Sequence, residues 1–91
     1  MKKYLEAIED ASIGTVKAVM RAAEKFPEIE FDYWHWTEEV RHLLDGIIKV
    51  ACYDREIEES DFDKLLTARL EAYKKARKML DDFFLENFNL E

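Results

Sequence analysis

Residues 62–84 read FDKLLTARLEAYKKARKMLDDFF and carry the longest helical pattern in this chain. Apolar side chains recur there at steps of three and four residues, which places them on one face of an α-helix. The members of this stripe are Phe62, Leu65, Leu66, Leu70, Tyr73, Ala76, Leu80, Phe83 and Phe84. The pattern predicts a helix over about residues 61–87, and Ser60 to Asp63 has the form of a capping box at its start.

Arg69 falls inside this apolar arc. A guanidinium remains charged there, and an unpaired buried charge costs several kcal/mol. We therefore expect Arg69 to reach a carboxylate, a bound anion or a subunit boundary. A structural ion pair, or a side chain that extends to the rim of the stripe, is the favoured interpretation. Arg77 lies at the edge of the same stripe and could join Arg69 in holding a small anion.

The only proline, Pro27, ends a first helix predicted over about residues 3–26, because a residue that precedes proline avoids the α region. One face of this helix is an apolar stripe of Leu5, Ile8, Ser12, Val16, Val19, Ala23 and Phe26. An adjacent row of small residues contains Ala7, Ala11, Gly14, Ala18 and Ala22. Such a row lets another backbone approach closely, although the helix propensity of alanine explains it equally simply.

A second helix is predicted over about residues 33–55. Asp32 is a good N-cap for it, with Phe31 and Trp36 in the positions of a hydrophobic staple, and Thr37 is the competing start. The predicted core face consists of Trp36, Val40, Leu43, Leu44, Ile47, Ile48, Val50 and Ala51.

Three long helices with short links indicate an all-α fold, an antiparallel three-helix up-down-up bundle that forms a single domain over residues 1–91. A chain of 91 residues buries little more than 60% of its unfolded surface, so association would add needed stability. We therefore expect the bundle to self-associate, with a dimer favoured.

Composition excludes several classes of protein. The longest stretch without a charged residue is Ala11 to Val16, far below the roughly 20 apolar residues that span a bilayer. The beginning of the chain lacks the apolar core of a signal peptide, and Cys52 has no partner for an intramolecular disulfide, so we expect a cytoplasmic protein. A net charge of −7 opposes binding to nucleic acid.

Two features indicate a contact surface. The end of the third helix is apolar over Phe83, Phe84, Leu85 and Phe88, and it either docks back on the bundle or contacts another subunit. Trp34 projects towards the polar side of the second helix, where it can anchor an interface or pack against the linker that precedes it. With Ala7, Ala11, Gly14 and Ala18, these residues form the predicted interface set.

Residues with the chemistry for metal binding or catalysis form no strong pattern. His35, Glu39 and His42 share one face of the second helix and could bind a metal ion, but they lie opposite the apolar stripe and beside Arg41, which disfavours a cation. No cofactor motif and no nucleophile motif is present. Four basic residues cluster at Lys74, Lys75, Arg77 and Lys78, and this cluster is either a salt-bridged outer face or a contact for an acidic partner.

The sequence therefore predicts a small acidic module that is not an enzyme and binds another protein as a regulator, inhibitor or adaptor. Two alternatives stay open: a helical bundle that binds a metal or small anion, and an acidic mimic of nucleic acid that inhibits a nucleic-acid-binding protein.

Overall fold

Helices account for nearly all of the chain in the computed structural model, which describes residues 1–26 and 32–88, with the side chains of residues 87 and 88 outside the description. Four α-helical segments and one π-helical turn are present in these ranges: α1 (Lys2–Glu9), the π turn (Asp10–Gly14), α2 (Thr15–Lys25), α3 (Tyr33–Cys52) and α4 (Glu59–Phe88). The backbone stays right-handed helical through the junctions at Glu9 and Thr15, so α1, the π turn and α2 form one N-terminal helix. The predicted all-α bundle is confirmed.

α4 sets the length of the molecule. Its 30 residues span about 45 Å at 1.5 Å per residue, and the long axis of the protein measures 47 Å. α3 packs along it in the opposite direction, because Tyr33 at the start of α3 bonds Asp81 near the end of α4, whereas Asp45 bonds Arg69. The up-down-up order of all three helices stays a prediction.

The core draws residues from every helix. Its buried apolar side chains are Tyr4, Ile8, Val16, Val19, Ala23, Val40, Leu44, Ala51, Leu65, Ala76, Leu80, Phe83 and Phe84. Leu44, Leu65 and Val16 are completely buried. Each such side chain contributes about 1.5–3 kcal/mol relative to an exposed one, so this cluster is the main source of stability.

The predicted apolar faces are correct in their centres and wrong at their edges. Leu66 and Leu70 of α4 are exposed, as are Leu43 and Val50 of α3. A helical stripe wider than the area covered by two neighbours leaves its flanks in solvent, and periodicity alone does not show where that coverage ends.

The π turn was not predicted. Ser12 is fully buried within it, and its hydroxyl donates a hydrogen bond of 2.7 Å to the carbonyl oxygen of Ile8. Side chains four residues apart drift around an α-helix by about 40° per step, and the wider π turn offsets that drift. Tyr4, Ile8, Ser12 and Val16 therefore share the buried face, whereas Leu5, which was expected there, is exposed.

Local hydrogen bonds explain where α3 begins and ends. The Asp32 carboxylate accepts bonds from the backbone N–H groups of Trp34 at 2.9 Å and His35 at 3.3 Å, so the Asp32 start is confirmed over Thr37. α3 ends at Cys52, three residues before the predicted end. In the turn that follows, the Asp54 carboxylate accepts a hydrogen bond from the backbone N–H of Glu56. Such local bonding competes with the helix.

The remaining helix boundaries differ slightly from the prediction. α4 begins at Glu59, so Ser60 lies inside its first turn instead of capping it. The N-terminal helix ends at Lys25, with Phe26 as its C-cap. Pro27 and the staple residue Phe31 lie outside the described residues.

The start of the N-terminal helix is tied to the turn after α3. The Tyr4 hydroxyl donates a hydrogen bond to the Asp54 carboxylate, and Lys3 Nζ lies 3.7 Å from Asp54 Oδ2. The hydrogen bond from Tyr4, aided by the backbone bond from Glu56, lowers the pKa of the Asp54 carboxyl. The same bond raises the pKa of Tyr4.

Removing the α3 cap is expected to weaken the fold. Asp32→Ala removes the side-chain acceptor of two N–H groups and should cost about 1 kcal/mol in the free energy of unfolding, measured with urea. Asp32→Asn, which retains a side-chain oxygen, should lose only a small part of that amount. Equal losses in the two variants would contradict the capping role.

The Tyr4–Asp54 bond should be visible in the pH dependence of stability. The pKa of Asp54 lies below its ordinary value of 3.8, so the bond stabilises the folded state above that pH and the contribution is lost as pH falls through the lowered pKa. Urea unfolding of Tyr4→Phe should therefore show a smaller loss of stability on acidification than the wild type. Tyr53→Phe serves as the control, and its acid profile should follow the wild type. Identical profiles for Tyr4→Phe and the wild type would contradict the coupling.

Candidate functional site

A groove of about 350 Å³ lies between the start of α3 and the end of α4, and we call it the end groove. It is lined by Tyr33, Trp34, Arg77, Asp81, Phe84 and Leu85. Trp34 is 67% exposed and Leu85 is 60% exposed, whereas Phe84 is only 3% exposed. Two large apolar side chains from distant parts of the sequence therefore stand in solvent in one groove, together with a buried ring.

The capped first turn of α3 orients the aromatic side of the end groove. Tyr33 points at α4, and Trp34, about 100° further round the helix, points outward. The ring of Tyr33 packs edge-on against Trp34, with centroids 5.3 Å apart, and against Phe84, with centroids 5.7 Å apart. Edge-to-face packing of this kind favours one geometry, so Trp34 is held in place by a neighbour that is itself packed on the core.

A polar network crosses the end groove beside these rings. The Tyr33 hydroxyl donates a hydrogen bond to the Asp81 carboxylate and accepts one of 3.3 Å from Nε of Arg77. Burial, followed by the bond to Asp81, raises the pKa of Tyr33, although Arg77 opposes the shift. The bond to Tyr33 raises the pKa of Arg77. At neutral pH the hydroxyl is therefore protonated and the guanidinium charged.

Arg69 finds a carboxylate, the first of the three outcomes expected for it. Its guanidinium donates a hydrogen bond to Asp45 of α3, and its side chain is 27% exposed. Arg41 Nη1 lies 3.9 Å from Asp45 and Arg41 Nη2 lies 2.6 Å from Glu38, so the pair belongs to a short charged network. Arg77 bonds Tyr33 and not this network, so the structure does not bring the two arginines together around one anion.

The predicted interface set divides into buried and exposed members. Phe83 is 7% exposed and Phe84 is buried, so both belong to the core of the single chain and not to an exposed contact surface. Of the two alternatives stated for the apolar end of α4, docking back on the bundle describes Phe83 and Phe84, and the Phe84 ring packs edge-on against Tyr33. Leu85 and Trp34 remain exposed, and the Phe88 side chain lies outside the described residues.

The small-residue row does not act as a uniform contact face. Ala7 and Ala11 are half-buried, whereas Gly14 and Ala18 are exposed. A Cβ added at Gly14 would meet only the Asp10 side chain, at 3.9 Å. Within the described parts of the chain, therefore, no second helix approaches Gly14 closely.

A second groove, of about 460 Å³, lies between α1 and α3. Its exposed wall includes Leu43 and Val50, which the sequence pattern placed in the core, and Gly46 leaves open space between them. Ala7 of the predicted interface set lines its opposite side. Sequence reasoning missed this groove, since the only signal was a glycine flanked by apolar residues at helical spacing.

The metal-binding alternative receives no geometric support. His35 and His42 are exposed, the His35 ring packs edge-on against Trp36 at 5.1 Å, and His42 Nε2 lies 3.7 Å from Glu38, not Glu39. Over residues 1–26 and 32–86, no group of three or more His, Cys, Asp or Glu side chains is placed to hold a metal ion.

Comparison with known proteins leaves the interpretation to the geometry. The chain matches no protein-family model, no curated protein and no solved structure. Of the helices in the described ranges, none combines the length and the apolar composition needed to cross a bilayer.

The Arg69–Asp45 pair should show measurable coupling. A double-mutant cycle with Arg69→Met, Asp45→Asn and the double variant is expected to give about 0.5–1 kcal/mol by urea unfolding, because the pair is only partly exposed. The more exposed Lys2–Glu6 pair, at 4.0 Å, provides the control cycle and should give a coupling near zero. Equal coupling energies in the two cycles would contradict a structural role for Arg69.

Proposed function

We propose that this chain is a small, non-catalytic protein-interaction module, a cytoplasmic regulator, inhibitor or adaptor, and that the end groove is the surface with which it binds another protein. The observation that carries the proposal is the exposure of Trp34 and Leu85 on the two walls of one groove. Large apolar side chains on opposite walls provide a place for an apolar side chain of a partner to insert.

The residue types in the end groove suit protein recognition. Tryptophan, tyrosine and arginine are the residues most enriched among those that dominate binding energy at interfaces. Here Tyr33 contacts both Trp34 and Arg77. Tyr33 is itself held by its hydrogen bond to Asp81 and by its edge-on packing against Phe84. Side chains already held in one geometry lose little entropy when a partner binds.

The α1–α3 groove is larger but less suited to specific recognition. Its exposed apolar side chains, Leu43 and Val50, are aliphatic, and Lys3 is the exposed polar side chain in its lining. Such a surface fits the self-association as a homodimer that the sequence predicts, and the proposal retains that expectation.

The two alternatives fit the structure less well. A mimic of nucleic acid needs carboxylates along one face, whereas α4 presents four basic residues between positions 74 and 78. A bundle that binds a small anion through both Arg69 and Arg77 would need them to converge, and each has its own partner in the folded chain.

Selection from a random peptide library on the wild-type protein tests the proposal. Selected peptides should bind Trp34→Ser and Leu85→Ser at least about tenfold more weakly than the wild type, since each variant removes an exposed apolar wall. The matched controls are Tyr53→Ser, directly after the end of α3, and Leu70→Ser on α4, which remove exposed side chains outside the groove.

The outcome is unambiguous when subunit number is measured in parallel. Native mass spectrometry of all five proteins shows whether a variant has changed its association, and retained mass would reveal a bound ligand. Recovery of no peptide above background, or equal binding by all five proteins, would contradict the proposal.

A further inference from the structure

We draw no further inference here: the strongest candidate, the groove between α1 and α3 lined by Ala7, Leu43, Gly46 and Val50, is an apolar surface, and nothing in the part of the chain that the structure describes shows what covers it.

Discussion

The register of α3 against α4 is the constraint on which the rest of the structure depends. Two hydrogen bonds set it, Tyr33 to Asp81 at one end and Asp45 to Arg69 nearer the middle. Between and around them, completely buried side chains such as Leu44 and Leu65 supply the free energy. Burial is not directional, whereas a hydrogen bond between named atoms is, so the two polar pairs favour this register over others that would bury the same apolar side chains.

The end groove follows from that register. Trp34 follows directly after Tyr33, and Leu85 follows directly after Phe84, so each exposed side chain is the neighbour of one that packs between the helices. A shift of one residue in either helix would turn its side chains by about 100° and remove one wall of the groove. The same contact that holds the helices together therefore places the surface with which we propose the protein binds.

Several features could be predicted because they depend on few neighbouring residues. The Asp32 carboxylate caps α3 by accepting bonds from backbone N–H groups two and three positions on, and Arg69 needed a carboxylate, an anion or a subunit boundary whatever the tertiary arrangement. The burial of Phe83 and Phe84 within the single chain could not be predicted from their own helix, because it depends on the helices that pack against α4. The exposure of Leu43 and Val50 was missed for the converse reason, since no helix in the described ranges covers them.

By itself, the sequence determined the helices, the apolar centre of each helical face, the capped start of α3 and the presence of an arginine that needed a partner, because these depend on residues within a few turns of one another. Only the tertiary structure decided that Asp45 is that partner, that the π turn buries Tyr4 and Ser12 on one face, and that Trp34 and Leu85 flank Arg77 in one groove. Each of these depends on the angle and register at which helices meet, which results from the packing of all three at once and has no signature in any one of them.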